Sequence, residues 1–188
     1  MRRKSNMQNK RYVKYPEYCS LVSSVCRDIT LSQWVPDYVV GITRGGLLPA
    51  TMISHYFTVP CRTLDVSLSS ADNLESNLWM AEDAIGYLSE QERELHKSRW
   101  DPSFKKNILI VDDINDTGST INWILKDWPS GCLPNADVWK TVWNNNVRFA
   151  VLFDNLHSKC NITIDYAGEE LDKQESDWVV FPYEEWWK

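Results

Sequence analysis

Apolar residues recur along this chain at two spacings that alternate. From Pro16 to Thr30, Tyr18, Leu21, Val22, Val25 and Ile29 fall at helical intervals, which predicts a first helix. The turn Pro36-Asp37 leads into Tyr38-Val-Val-Gly-Ile42, a continuous apolar run of the kind covered on both faces of a parallel sheet. Thr43-Arg44-Gly45-Gly46 then precedes a second predicted helix from about Leu48 to Phe57. Val59 to Val66 reads as the next strand, with Pro60 near its start, where a missing donor is tolerated. Ile108 to Val111 is a further buried run, followed by the helical-looking Ile121-Asn-Trp-Ile-Leu125. Arg148 to Phe153, Ile162 to Ile164 and Trp178 to Phe181 complete the expected strands. Strands alternating with helices predict an α/β fold, a doubly wound parallel sheet.

Two stretches interrupt the alternation. Ser67 to Asn73 is polar and reads as flexible, after which Leu78, Ala81, Ile85, Leu88 and Leu95 follow a helical period to about Lys97. A structureless loop of about forty residues is improbable inside a compact domain. Residues 67–106 are therefore expected to form a mobile loop plus an inserted helix. Asp127 to Val147, rich in Trp, Asn and Pro, reads as irregular. Neither repeats nor a dividing linker interrupt the chain, so residues 1–188 are expected to form one domain.

The chemistry concentrates where the Ile108–Val111 run ends. Asp112 and Asp113 come first, then Asn115-Asp116-Thr117-Gly118-Ser119-Thr120, small and turn-forming, and then a helix N-terminus. Backbone N–H groups in such a loop, with the positive end of the helix dipole, suit a phosphate. Two adjacent carboxylates suit sugar hydroxyls or a hydrated Mg2+. A ligand with a ribose, a phosphate and a metal fits both halves at once. An acidic pair at a strand end also occurs in response regulators and in the second motif of P-loop ATPases. Neither needs Asp-Thr-Gly-x-Thr beside the acids, and no G-x-x-x-x-G-K-[ST] loop is present. Thr43-Arg44-Gly45-Gly46 offers a second anion-binding turn, its glycines allowing close approach and Arg44 adding a forked donor.

Bulk properties narrow the partners. A net charge of −6 gives a nucleic-acid partner little electrostatic support. No stretch approaches the ~20 apolar residues of a membrane span. Met1-Arg-Arg-Lys-Ser-Asn6 is followed by no apolar segment, and is expected to be a frayed tail rather than a signal peptide or anchor. The five cysteines are scattered without C-x-x-C spacing, a reduced pattern that predicts a cytoplasmic protein. Cys19 and Cys26 are expected on one helix face as small core residues. The three histidines are isolated, so no transition-metal site is expected. Among the ten tryptophans, Trp123 and Trp128 are placed on the helix after the phosphate-type loop, while Trp139 and Trp143 cover the sheet or a neighbouring subunit.

Ile108 to Thr120, thirteen consecutive positions, closely resembles the signature of the type I phosphoribosyltransferases, which bind 5-phosphoribosyl 1-pyrophosphate (PRPP). Polar Asn115 stands where that family usually has an aliphatic residue. Val39-Val-Gly-Ile-Thr-Arg-Gly-Gly-Leu-Leu-Pro-Ala50 is similar to the pyrophosphate loop of the purine members, especially the bacterial xanthine-guanine and hypoxanthine enzymes and related archaeal ones. Asp177-Trp-Val-Val-Phe-Pro-Tyr-Glu184 resembles their C-terminal segment. The resemblance implies a type I fold with a small hood formed by the chain ends. It also implies transfer of 5-phosphoribosyl from PRPP to a 6-oxopurine, with nucleoside monophosphate and pyrophosphate as products and Mg2+ as cofactor.

By that resemblance Asp112 and Asp113 hold the ribose hydroxyls and the metal. Thr117, Gly118, Ser119 and Thr120, with Asn115 beside them, wrap the 5′-phosphate. Thr43, Arg44, Gly45 and Gly46 meet the pyrophosphate, with the Thr43–Arg44 peptide cis. Asp116 is the candidate general base, or else a loop-shaping turn residue. Trp178 stacks on the base with the Val179 backbone at its edge, or else is a core aromatic of the last strand. The family's lysine opposite the 6-oxo group is replaced by Asn155, whose amide can donate without charge, and Lys159 could reach in instead. The loop offers Ser69-Ser70-Ala71 where a Ser-Tyr pair is common, which leaves the base open. A homo-oligomer is expected.

Overall fold

The computed structural model describes residues 9–66, 78–133, 137–172 and 177–187. Its centre is a five-stranded sheet, every pairing parallel, in the order β3-β2-β4-β5-β6. The strands are β2 (Tyr38–Ile42), β3 (Cys61–Leu64), β4 (Ile108–Asn115), β5 (Val147–Asn155) and β6 (Tyr166–Leu171). A separate parallel pair joins β1 (Asn9–Tyr12) to β7 (Asp177–Val180), bringing the two ends of the chain together as the hood. Helices α1 (Tyr15–Leu31), α2 (Leu47–Phe57), α3 (Leu78–Ile85), α4 (Glu90–His96) and α5 (Ser119–Gly131) join the strands. No described helix is long and apolar enough to cross a membrane.

The strand period assigns alternate residues to opposite faces. Val39, Leu109 and Val111 pack with Tyr18, Val25 and Ile29 of α1 and Ala50 and Ile53 of α2. Val40, Ile42, Ile108 and Ile110 pack on the other face with Ala81 and Ile85 of α3 and Ile121, Ile124 and Trp128 of α5. Both faces are covered, which is why β2 and the first half of β4 read as unbroken apolar runs. Of the paired cysteines, Cys26 is buried and Cys19 only partly so.

Several local expectations shift. β3 is shorter than the predicted 59–66, and the Pro60 carbonyl, accepting from the Val39 amide, leads into it. The single helix expected from Leu78 to Lys97 is two. Gly86 stops the first, and Ser89 starts the second with a reciprocal capping box to Glu92, so Leu95 lies exposed. The expected mobile loop, Ser67–Asn77, lies outside the described residues. Ile162 and Ile164 form no strand but pack from an irregular segment against the core, and the next strand is β6 beyond them. β1 was not expected, because Asn9-Lys-Arg-Tyr12 carries no apolar pattern.

The stretch beyond Asp127 is more ordered than its composition suggests. Helix α5 continues through Pro129 to Gly131, and a short 3-10 helix spans Asp137–Thr141. Trp139 stacks on Trp143 at 5.5 Å, and Trp143 reaches both Trp128 and Phe149. These rings therefore cover one face of the sheet in the same chain. Trp128 is fully buried against Trp143. Trp128→Ala is expected to cost about 3–5 kcal/mol. A lower urea midpoint with an unchanged slope is the readout.

Candidate active site

Parallel strands point their carboxyl ends the same way, and the loops leaving β2 and β4 meet there. The loop after β2 holds Thr43 to Gly46, with a cis Thr43–Arg44 peptide. The Thr43 hydroxyl donates to Asp65 at 2.8 Å, tying the loop to the end of β3, and the Arg44 side chain is left exposed. A Cβ on Gly45 would fall 2.1 Å from Asp113 Oδ2, so only a glycine lets this loop lie against the carboxylate.

The acidic pair sits inside β4 rather than beyond it, since pairing with β5 continues to Asn115. The two carboxyls lie close enough to interact, yet they line different hollows. Asp112 lines a hollow with Asn115 to Ile121, while Asp113 lines clefts with Arg44 and Gly45 and with Trp178 and Val179. Asp112 Oδ1 accepts the Asp113 amide at 3.0 Å. Withdrawal from water, and then the neighbouring Asp113 charge, push the Asp112 carboxyl well above the usual range. Burial raises Asp113 too, opposed by the Tyr183 hydroxyl donating to its Oδ2 at 2.6 Å.

The 115–120 loop is braced from behind. Gly118, at φ +81°, caps α5, and a Cβ there would meet the Cys160 backbone nitrogen at 2.4 Å. The Lys159 amide donates to the Thr117 carbonyl, the Asn122 amide to the Lys159 carbonyl, and the Asn161 amide to Asn122 Oδ1. Thr117 and Ser119 are exposed, with their hydroxyls 2.8 Å apart, and Thr120 is partly buried. Asn115 is buried, donating to Asp154 at 2.8 Å and accepting from Ser158. Asn155 is buried as well. Its Nδ2 donates to Asp116 Oδ1 at 3.0 Å and to the Asp116 carbonyl at 3.1 Å, while its Oδ1 accepts from the His157 amide.

A cleft of about 220 Å³ is bounded by Asp113, Ile114, Asp116, Trp178, Val179, Phe181 and Glu184. Half-exposed Trp178 and Asp116 therefore share one hollow with Asp113, an aromatic face beside polar groups of the kind that receives a planar polar ring. Residues 9–186 match the phosphoribosyl transferase domain family. The chain belongs to that family.

Two relatives of this phosphoribosyltransferase-family chain carry further names. It is 24% identical over 132 residues to xanthine phosphoribosyltransferase 1 of Saccharomyces cerevisiae, an alignment covering 62% of this chain and 58% of the relative. It is 32% identical over 91 residues to a xanthine-guanine phosphoribosyltransferase of Cereibacter sphaeroides, covering 48% and 47%. The chain spans about half the length of the relatives it matches. A purine phosphoribosyltransferase from Pyrococcus horikoshii Ot3 shares the fold, with a TM-score of 0.60 and 20% identity, over 94% of this chain and 95% of that one.

The carboxylates bear on a metal as follows. Among the described residues no group of three or more His, Cys, Asp or Glu could hold an ion. Two partly buried acids whose charges resist removal from water fit Mg2+, which usually binds through one or two carboxylates and takes phosphate oxygens and water for the rest. Sequence reasoning passed over Tyr183, Glu184 and Trp187, which line the cleft with Arg44 and Asp113. Tyr183 and Glu184 stood inside the C-terminal segment already singled out, but nothing local in that segment points to β4.

The geometry at Asn155 leads to a prediction. An amide donating to Asp116 orients that carboxylate. Asn155→Lys would bury an ammonium and remove the brace, so it is expected to lower stability by about 1–3 kcal/mol. The urea midpoint is the check, and an unchanged midpoint would show that residue 155 is not held against Asp116.

Proposed function

We propose that this chain transfers 5-phosphoribosyl from PRPP to a 6-oxopurine, guanine, xanthine or hypoxanthine, in purine salvage. In this reading residues 1–188 act as one domain. The observation that carries it is the convergence of the acidic pair, the 115–120 loop, the Arg44 turn and the Trp178 cleft at the carboxyl end of the sheet. A ligand with two phosphate ends, a ribose between them and a planar acceptor beside C1 would occupy all four.

The residues divide the work by charge. Thr117, Gly118, Ser119 and Thr120 grip the 5′-phosphate with main-chain and hydroxyl donors at the N-terminus of α5. Arg44 and the Thr43–Gly46 backbone receive the pyrophosphate as the C1–O bond breaks. Asp112 and Asp113 hold the ribose hydroxyls and place negative charge near the carbon that becomes positive. Mg2+, when bound through this pair, would neutralise the leaving pyrophosphate. Trp178 supplies a face for the base and the Val179 backbone an edge. As the base nitrogen bonds to C1, the proton on N7 passes to Asp116, which Asn155 holds in place. The 6-oxo group then has no donor at position 155, so discrimination between 6-oxo and 6-amino purines should be weak.

A nucleobase panel with PRPP and Mg2+ tests the reading. At least one of guanine, xanthine or hypoxanthine should be converted to its monophosphate with one pyrophosphate released per turnover. Asp113→Asn should lower that turnover ~100-fold or more with the fold retained, since its part is charge at the site rather than packing. Conversion of orotate alone would replace the purine by another acceptor, and no conversion of any base would end the enzymatic reading.

A further inference from the structure

Tyr183 occupies a junction that the loops do not reach by themselves. Its hydroxyl lies 2.6 Å from Asp113 Oδ2 and 3.3 Å from the Gly45 carbonyl, so one phenol touches both the acidic pair and the turn after β2. Its ring stacks on Phe181 at 5.7 Å with an interplanar angle of 2°, and Phe181 lines the Trp178 cleft. Tyr18 of α1 meets both rings edge-on. The next residue, Glu184, closes the segment back on itself by accepting the Phe181 amide at 2.7 Å. The 181–184 turn is therefore closed on itself, and Tyr183 gives it a polar contact to β4.

The Tyr183 phenol is the donor of this bond and the Asp113 carboxylate the acceptor. A neutral donor to a carboxylate withdrawn from water is among the stronger hydrogen bonds a protein makes. The Tyr18 hydroxyl, buried beside this cluster, has no hydrogen-bond partner among the described residues. The aromatic packing alone therefore leaves Tyr183 as the polar link between the hood and the sheet at this point.

We propose that Tyr183 is a positioning residue that ties the wall of the base cleft to Asp113, so that occupancy of the acidic pair sets the geometry of the cleft. This rests on the phosphoribosyltransferase reading above. When Asp113 engages ribose or metal, its carboxylate is fixed and Tyr183 is fixed with it, and Phe181 and Trp178 follow through the turn and β7. Without the hydroxyl, the two halves would bind their ligands independently.

Tyr183→Phe removes one oxygen and keeps both ring contacts, and thermal unfolding monitors the fold. Hydrogen exchange is followed for the wild type and the variant with Mg2+ and PRPP added and no base. In the wild type, exchange should slow in residues 112–120 and also in 177–187. In Tyr183→Phe, residues 112–120 should slow as before while 177–187 no longer respond. Kinetically, KM for the base should rise ~10-fold, with kcat and the PRPP KM changed less than ~3-fold. Equal protection of 177–187 in both proteins, or an unchanged base KM, overturns the role of Tyr183 and leaves the phosphoribosyltransferase reading intact. No protection anywhere in the wild type overturns both.

Discussion

Two adjacent carboxylates held in a partly buried strand are the constraint on which the rest depends. Each is pushed toward its neutral form by removal from water, and Asp112 further by its neighbour. A fold does not keep such a pair without a return, because the same positions filled by apolar residues would extend the buried strand at no electrostatic cost. The surrounding chain is shaped to the pair. Gly45 is bare so that the β2 turn can lie against Asp113, and Tyr183 reaches down from the C-terminal turn to satisfy it.

A second layer holds the loop that follows. Residues 155–161 run behind the 115–120 loop and are clipped to it by Asn155, Lys159, Asn122 and Asn161. Most of these contacts are single hydrogen bonds to backbone, worth about 0.5–1.5 kcal/mol each, so their value is orientation more than stability. They leave the N-terminus of α5 and the exposed Thr117 and Ser119 hydroxyls facing outward. At position 155 the amide is taken up by Asp116, which it braces.

What could be read from the sequence follows from how local each signal is. β2, the apolar half of β4, α1 and α2 were legible because burial on two faces, or on one helical face, writes a periodic pattern. The Arg44 turn and the 112–120 loop were legible because their small and charged residues are consecutive. β1 was not, since it is held by pairing with β7 and by Arg11, which bridges Glu17 and Glu169 and lies over Phe153. Apart from Glu17, those partners are remote in sequence. The break of the inserted helix was written in Gly86 and in Ser89-x-x-Glu92, but the apolar period of Leu88 and Leu95 outweighed it. The roles of Asn155 and Tyr183 depend on contacts across 39 and 70 positions, which no spacing within a motif can express.

The central claim is that the Asp112–Asp113 pair exists to hold a metal-linked phosphoribosyl ligand. Calorimetric titration of PRPP into the protein, with Mg2+ and then with a chelator, addresses it without relying on any base. The account predicts binding near one ligand per chain that requires Mg2+ and that weakens at least tenfold when both carboxylates are replaced by amides. Binding of equal strength with and without Mg2+, indifferent to both substitutions, would contradict it, as would the absence of PRPP binding altogether.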